Sequence, residues 1–433
     1  MFKLPPIKEY SELSQEEIKD CNLDKFQSYL KCQNLESALK VTRKGIKTKS
    51  WVGVIKYKNL HLEILPKLIS ENVNNDDELM PDKRSIILKN LIYMLSYTKN
   101  LQIKTSDNAK LSKEKNPFLE ILIREFANSL FGALKRFTPK NYIQQEDNLN
   151  FLRGKIKFSE NIRYNCVNQA KFYCEFDEFS ENNILNQLFL FVSTCLFDIS
   201  HNSYNKKILK FIINYYSDIK PVRFDKFKVE KIKLTRNQEL FKKPFNLAKM
   251  FVEQASVDLS KNKFENITLI WDMNKLFEEF VYELIKKEIP EVKPNPQKGK
   301  RLLRNGTETR RDTKVDILLE NPSLIIDTKY KKFTKFDDIS SSDIYQVMTY
   351  CLLHGEKYKK AILLYPQYDE SEPDISGFYI NNDQNNKEEN YSIDFCTINL
   401  KQKDLSDKDT RKDIIEKLKR IIDPANEYGL NKE

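Results

Sequence analysis

KVDILLENPSLIIDTKY, residues 314–330, decides the fold of the last third of the chain. Two β-rich runs, KVDILL (314–319) and LIIDTKY (324–330), flank the turn-rich tetrapeptide ENPS (320–323). Apolar runs of this length around turn residues are typical of paired strands. The stretch therefore predicts an antiparallel hairpin.

The hairpin brings two carboxylates and one amine together. If the strands pair about the centre of the turn, Asp316 lies opposite Asp327. If Pro322 takes the second turn position instead, Asp316 lies opposite Lys329. Both registers put the three charged side chains on one face, because strand residues alternate with period two. A turn with an odd number of loop residues would break this parity.

Paired carboxylates on one sheet face require compensation, because like charges about 5–8 Å apart destabilise the sheet. Lys329 can supply part of it, and a hard divalent cation such as Mg²⁺, which takes oxygen ligands, can supply the rest. The lysine is then placed to orient a metal-bound water or to stabilise charge on a phosphate. The trio thus fits a metal site that could act on a phosphate group. The alternative is a solvent-facing Asp/Asp/Lys trio on an ordinary hairpin.

Two predicted helices can complete such a site. Gln346 and Tyr350 stand four residues apart on the helix predicted over 342–354, and can point together toward the strand ends. Glu278, in the amphipathic helix predicted over 271–288, can supply a third acidic ligand. For all three side chains, ordinary solvated positions on a helix are the alternative.

The chain is basic, with 73 Lys and Arg against 63 Asp and Glu, a net charge of +10. Such a surplus favours a polyanionic partner, although a Lys- and Asn-rich composition produces it without any function. Eight basic and two acidic residues lie from Lys293 to Lys314, in a stretch expected to be rich in loops. This stretch suits a phosphate-backbone channel or, alternatively, a solvated loop.

Cysteine and hydropathy patterns indicate a cytoplasmic protein without a membrane segment. The seven cysteines are scattered, without a CxxC pair, and only three histidines are present, which argues against structural zinc. The N-terminus lacks an apolar signal core. The longest apolar run, 188–197, is too short to span a bilayer.

The fold class predicted from these patterns is α/β and α, in three parts. Residues 1–85 are expected to form a mixed, β-leaning N-terminal domain, residues 86–255 a largely helical region, and residues 256–433 an α/β domain. Strands are predicted at 51–57, 60–66 and 360–366, and helices at 88–97, 117–134 and 182–199.

An acid, ten residues, Asp-x-Lys and a downstream Gln-x-x-x-Tyr helix together resemble the PD-(D/E)xK nuclease superfamily, in the branch with the QxxxY motif. The whole chain resembles the McrC nuclease subunits of McrBC-type modification-dependent restriction systems. The blocks that carry this resemblance are GVIKYKNLHLEILPK (53–67), LIYMLSY (91–97), LRGKI (152–156), FDEFSENNILN (176–186), LFE (276–278), the hairpin, and residues 345–350.

The resemblance implies a PD-(D/E)xK restriction-endonuclease-like C-terminal domain. In it, Asp316 and Asp327 bind Mg²⁺ or Mn²⁺, Lys329 is the catalytic lysine, and Glu278 is the accessory acid and a third metal ligand. Gln346 and Tyr350 would support the site. One departure is Val315, where the superfamily usually has proline; because that proline does no chemistry, the change is discounted.

The resemblance also implies a partner, an McrB-like AAA+ GTPase ring that recognises double-stranded DNA with modified cytosine and binds the GTP. The N-terminal part would dock on this ring and stimulate it, and the 51–67 region is the expected contact. The 433 residues contain no GxxxxGK[ST] motif, consistent with a nucleotidase on another polypeptide. A non-catalytic adaptor that binds DNA and a motor is the alternative, and an RNA-directed enzyme is a third hypothesis.

Overall fold

The computed structural model describes residues 2–3, 6–18, 21–58, 60–66, 81–98, 117–258, 263–296, 299–305, 308–333, 335–367, 374–380, 391–400, 405 and 407–423. The protein is mixed α/β, with several sheets. It divides into two compact units, residues 1–118 with 268–433, and residues 119–267. The domain boundaries at 85 and 255 stay predictions.

The N-terminal part of the first unit is rich in strands, as predicted. Its elements are β1 (Phe2–Lys3), β2 (Ile7–Lys8), β3 (Glu12–Ser14), α1 (Leu23–Cys32), β4 (Leu39–Thr42), β5 (Gly45–Thr48), β6 (Trp51–Tyr57), β7 (Leu60–Leu65) and α2 (Pro81–Thr98).

The β6–β7 hairpin is the centre of this part, and its two strands begin where the sequence predicted. Every residue of β7 is buried, and Phe26 of α1 packs in the same core as Leu62. A Cβ atom at Gly53, whose φ is +133°, would lie 2.0 Å from the backbone oxygen of Leu269, so only glycine fits there. The two strands of this hairpin therefore belong mainly to the core, whereas Lys58 at the turn between them is exposed.

The second unit contains the helices predicted at 117–134 and 182–199. Its elements, with the strand that crosses into the first unit, are α3 (Pro117–Leu134), β8 (Asn141–Leu149), β9 (Lys155–Ile156), α4 (Phe158–Asn165), β10 (Phe172–Ser180), α5 (Ile184–Ile199), α6 (Ser203–Tyr215), α7 (Lys226–Glu230), α8 (Lys242–Glu253), β11 (Ala255–Asp258) and β12 (Lys263–Asp272).

The three-stranded antiparallel sheet β8–β10–β9 corrects the prediction of a largely helical middle region. Its outer strand β8 has no fully buried residue, so the sequence NYIQQEDNL carries little of the hydrophobic alternation that predicts a strand. Gly154, with φ +68°, approaches the backbone of Glu175 so closely that a Cβ atom would lie 2.3 Å from its oxygen. This contact explains the glycine of the LRGKI block.

Large apolar side chains are exposed around this sheet and helix α4, an unusual distribution for a small β structure. Phe158 and Ile162, one helical turn apart on α4, are 73% and 68% exposed. Tyr142 and Phe179 are cross-strand partners whose ring centroids lie 5.0 Å apart, and both are exposed. We call these four side chains, two on α4 beside Tyr173 and two at a point six residues further along β10, the apolar surface.

The C-terminal part of the first unit follows the predicted order of helix, strands, helix and strand. Its elements are α9 (Met273–Glu288), β13 (Pro294–Pro296), β14 (Gly299–Asn305), β15 (Glu308–Lys314), β16 (Ile317–Glu320), β17 (Ser323–Thr328), α10 (Ser341–His354), β18 (Lys360–Gln367), β19 (Ile375–Ile380), β20 (Tyr391–Asn399) and α11 (Lys408–Ile422).

Six of these strands form one sheet in the order β13–β16–β17–β18–β20–β19. Strands β17, β18 and β20 are parallel, and α10 is the crossover between β17 and β18. Val347 and Cys351 of α10 pack on Ile325, Leu363 and other apolar residues of the sheet. The helix therefore covers one face of the sheet, including the end of β17.

Two details of this part differ from the sequence prediction. The basic stretch expected to be loop-rich contains the antiparallel pair β14–β15, in which Gly299 pairs with Lys314. Leu352, predicted on the apolar face of its helix with Val347, is 61% exposed, because that face is narrower than the sequence pattern suggested. In the described part of the chain, no helix combines the length and hydropathy needed to cross a membrane.

Candidate active site

The β16–β17 hairpin has the register that pairs the strands about the centre of the turn. Ile317 pairs with Ile326 and Glu320 with Ser323, so the alternative register with Pro322 at the second turn position is wrong. Continued by one residue, the observed register places Asp316 opposite Asp327. Their strand neighbours Leu318 and Ile325 belong to the core beneath α10, so both acids lie on the side of the sheet that α10 covers.

Asp316 is held by the strand opposite. Its Oδ2 accepts hydrogen bonds from the backbone N–H of Thr328 at 2.8 Å and from Thr328 Oγ1 at 2.9 Å. Burial raises the pKa of Asp316, and the two hydrogen bonds from Thr328 act against that rise. The carboxylate is therefore fixed in orientation by a neighbour of Asp327.

Asp327 is fully buried at the end of β17, with 0% exposure. Burial and, after it, the nearby Asp316 carboxylate raise the pKa of Asp327 to about 7, against the opposing effect of Lys329. Oδ2 forms an ion pair with Lys329 without the angles of a hydrogen bond, and Oδ1 has no hydrogen-bond partner among the described residues. A buried oxygen without a partner is costly unless a ligand satisfies it.

Lys329 lies between the acids and the following helix. Its Nζ is 2.6 Å from Asp327 Oδ2 and donates a hydrogen bond to Gln346 Oε1 at 2.9 Å. Burial lowers the pKa of Lys329, but the carboxylates around it, Asp327 first, outweigh burial and raise it. The amine is therefore held as an ammonium directly beside the buried acid.

Gln346 and Tyr350 point together toward the strand end, as predicted. Gln346 Nε2 donates a hydrogen bond to the hydroxyl of Tyr350, which is buried. Since Gln346 accepts from Lys329 at the same time, the amide links the tyrosine to the lysine. The chain Tyr350–Gln346–Lys329–Asp327 restricts where the ammonium can lie.

Three neighbours of this chain were not found from the sequence. Asp343 and Lys331 form an ion pair with Oδ2 and Nζ 2.7 Å apart, and Asp343 Oδ1 is 3.9 Å from Lys329 Nζ. Tyr365 is buried in the core under α10, and its hydroxyl has no hydrogen-bond partner among the described residues. The sequence signal for Asp343 is its position three residues before Gln346, which puts both on one helix face.

Glu278 lies half-buried on α9, between the buried Phe277 and Phe280. The ring of Phe277 is 6.1 Å from that of Tyr330, one residue after Lys329. Within the described residues, no group of three or more His, Cys, Asp or Glu side chains is arranged to hold a metal ion. The assignment of Glu278 as a third ligand stays a prediction.

The Asp316–Asp327 pair nonetheless has the chemistry that a hard divalent cation requires. Mg²⁺ is commonly held by one or two carboxylates, with water and phosphate oxygens as its other ligands. A cation there would lessen the repulsion between the acids and could use the partnerless oxygen of Asp327. The residues present therefore fit the metal that the sequence resemblance implies.

Comparisons with known proteins agree with this overall architecture. The chain matches the family described as McrBC 5-methylcytosine restriction system component over residues 46–366. It is 22% identical over 340 residues to the type IV methyl-directed restriction enzyme EcoKMcrBC of Escherichia coli (strain K12), a match that covers 73% of this chain and 93% of that protein.

Two solved structures of Thermococcus gammatolerans proteins are also similar. One is a chain of the half-complex refined from a tetradecameric assembly of McrB AAA+ hexamers with bound McrC, with a TM-score of 0.72, 21% identity, and coverage of 96% of this chain and 99% of that chain. The other, from the McrBC complex solved by cryo-EM, has a TM-score of 0.52, 25% identity, and coverage of 66% and 87%. Because the family match spans well over half of the sequence, the chain belongs to the McrBC family of 5-methylcytosine restriction system components.

Proposed function

We propose that this chain is the nuclease subunit of an McrBC-type restriction system, and that Asp316, Asp327 and Lys329 form its cutting centre. The observation that carries the proposal is the fully buried Asp327 carboxylate, with an ammonium 2.6 Å away and a second carboxylate across the hairpin. Perturbed acids grouped in this way are typical of catalytic sites. The C-terminal domain is accordingly proposed to be of the PD-(D/E)xK type.

Asp316 and Asp327 would hold Mg²⁺ or Mn²⁺, with Glu278 as a further candidate ligand. Such a cation supplies Lewis-acid stabilisation of a phosphoryl oxygen and lowers the pKa of water. Lys329, fixed by Gln346 and Tyr350, would stabilise negative charge on the scissile phosphate or orient the attacking water. Thr328 would keep Asp316 in the orientation that the site requires.

The motor subunit of the same family is the competing assignment for this chain. A GTP-hydrolysing AAA+ protein needs a phosphate-binding loop, and the 433 residues contain no GxxxxGK[ST] motif. The paired acids and lysine have no role in a phosphate-binding loop. These two observations favour the nuclease over the motor.

The proposed partner is an McrB-like AAA+ ring that binds GTP and recognises double-stranded DNA with modified cytosine. The apolar surface of Phe158, Ile162, Tyr142 and Phe179 is one candidate for contact with that ring, and the N-terminal part with residues 51–67 is the other. Aromatic side chains are enriched at protein interfaces. The complex would act in the cytoplasm.

A non-catalytic adaptor that binds motor and DNA is the second hypothesis. An adaptor has no need for a half-buried carboxylate beside a fully buried one, since burial and mutual repulsion of the two charges cost free energy of folding. Metal titration separates the hypotheses: Mg²⁺ should stabilise a nuclease against heat in proportion to its binding, and should not do so after Asp316→Ala.

The direct test is reconstitution of the chain with an McrB-like ring, GTP and Mg²⁺ on methylated and unmethylated DNA. The proposal expects GTP-dependent cutting of the methylated DNA, and its loss in Lys329→Ala with ring binding intact. The exposed Lys335→Ala is the matched control, because Lys335 forms an ion pair with the exposed Asp337, with Nζ and Oδ2 3.5 Å apart. Undiminished cutting by Lys329→Ala would remove the site assignment.

A further inference from the structure

Asp343 lies in the first turn of α10, where acidic residues ordinarily favour the helix dipole. Its backbone N–H donates to Ser340 O, as in a normal helix start. An acid that served only the dipole would be solvated, yet Asp343 is 5% exposed. Its burial against the candidate active site calls for another explanation.

Two lysines face the Asp343 carboxylate. Lys331 Nζ donates hydrogen bonds to both carboxylate oxygens, at 2.7 and 3.1 Å, and Lys329 Nζ lies 3.9 Å from Oδ1. The same Lys329 ammonium is 2.6 Å from Asp327. Asp343 and Asp327 therefore both attract the Lys329 ammonium, and the ion pair with Lys331 neutralises the charge of Asp343.

We propose that Lys331 is a positioning residue, which neutralises Asp343 and so keeps the Lys329 ammonium on Asp327. The inference rests on the proposed nuclease function of this site. Lys331 is itself 52% exposed at its side chain, so its own charge is well solvated, whereas the Asp343 carboxylate depends on a nearby cation.

The charges of the neighbouring groups predict an asymmetric pattern of defects. Loss of Lys331 alone leaves a buried carboxylate whose nearest remaining ammonium among the described residues is Lys329, which would shift toward it and away from Asp327. Loss of Asp343 alone removes the partner of Lys331, whose ammonium is exposed to solvent and needs no replacement. Loss of both removes a neutral pair and leaves the balance among Asp316, Asp327 and Lys329 unchanged.

The alternative role for this pair is mechanical. Lys331 follows the end of β17, and an ion pair to α10 would simply fasten the segment to the helix. In that case Lys331→Met, Asp343→Asn and the double variant would have equal effects, because each removes the same contact. The positioning role therefore predicts that the double variant regains the activity lost in Lys331→Met. The mechanical role predicts that it does not.

The experiment measures cleavage by the reconstituted complex, and Mn²⁺ affinity of the purified chain by calorimetry, for Lys331→Met, Asp343→Asn and the double variant. We expect Lys331→Met to cut about tenfold more slowly, Asp343→Asn to be less impaired, and the double variant to recover most of the lost rate. Lys335→Met, at the exposed pair with Asp337, is the matched control and should cut normally.

The Mn²⁺ affinity gives a readout that does not depend on cutting. Withdrawal of the ammonium from Asp327 increases negative charge at the carboxylates, so Lys331→Met should bind Mn²⁺ several-fold more tightly, and the double variant should return to the wild-type value. Equal effects of all three variants, or no repair in the double variant, would overturn the inference. A wild-type complex that fails to cut would instead refute the proposed function, while the Mn²⁺ order still tests the role of Lys331.

Discussion

The hairpin site and the β8–β10–β9 sheet depart from ordinary burial in opposite directions. In the site, the Asp327 carboxylate is fully buried, and in the sheet region Phe158 is 73% exposed. Burial of a charge is tolerated where binding or chemistry compensates it, and exposure of an aromatic ring where a partner covers it. We therefore propose chemistry for the first region and recognition of a partner for the second.

Asp327→Asn is expected to have the largest effect. The substitution keeps the shape but removes the charge beside Lys329, and we expect cleavage to fall by about 1000-fold or more, as for loss of a principal catalytic group. Ring binding should be unchanged. The exposed Asp337→Asn provides the control, since its side chain is 80% exposed. Loss of ring binding together with cutting would contradict the proposal that the two regions have separate roles.

Phe158→Ser with Ile162→Ser tests the other half of the comparison. Removal of two exposed anchors from one face of α4 should weaken binding to the McrB-like ring by about 100-fold. Stabilisation of the chain by Mg²⁺ should stay as in the wild type. Binding is measured by titration of labelled chain with ring in the presence of a GTP analogue.

Phe227→Ser is the control for that pair, because Phe227 on α7 is 75% exposed but lies outside the apolar surface. It should bind the ring normally. If the control weakens binding as much as the double substitution, the apolar surface is not the specific contact.

Gln346→Ala should have a moderate effect on cutting. It removes the group that accepts from Lys329 and donates to Tyr350, so the ammonium loses its support but keeps Asp327. We expect a decrease of about tenfold in the cleavage rate, equivalent to about 1.4 kcal/mol. The measurement is single-turnover cleavage at saturating Mg²⁺, and an unchanged rate would limit the site to the hairpin residues.

The last prediction concerns stability in the absence of divalent metal, where no change in cleavage is involved. Because the pKa of Asp327 is raised to about 7 in the folded protein, the folded state binds more protons than the unfolded state from about pH 4 to 7. Its contribution to the free energy of unfolding is thus present at low pH and is lost as the pH rises through about 7.

Asp327→Asn should not lose stability in this way as the pH rises, because the asparagine amide does not titrate. Measured by urea unfolding in EDTA, the free energy of unfolding of the variant relative to the wild type should rise by about 1–3 kcal/mol between about pH 5 and pH 8, since each pKa unit is worth about 1.4 kcal/mol. A difference that falls over this range would contradict the raised pKa.

Local patterns were enough to predict the hairpin, its charged trio and the Gln346–Tyr350 helix. Alternation and turn residues specify strand pairing over short distances, and the observed register was one of the two expected. The alternatives differed in whether Pro322 occupies the second turn position, and the sequence did not discriminate between these turn geometries. The nuclease chemistry of the trio stays a prediction.

The parts that sequence did not predict depend on the path of the chain in space. Strand β8 is half-exposed and polar, so no hydrophobic period marks it. Likewise, nothing in the spacing of Lys331 and Asp343 indicates that the segment after β17 turns back onto α10. Such contacts depend on the direction that the backbone takes after the last residue of β17. Composition and local spacing do not specify that direction.

The hairpin, the crossover helix and strand β18 follow one another directly along the chain, and they hold every principal side chain of the site between Asp316 and Tyr350. Short loop closures cost little chain entropy, and contacts between near neighbours form quickly. The candidate active site is therefore assembled from contacts between near neighbours along the chain, and its geometry depends on few long loop closures.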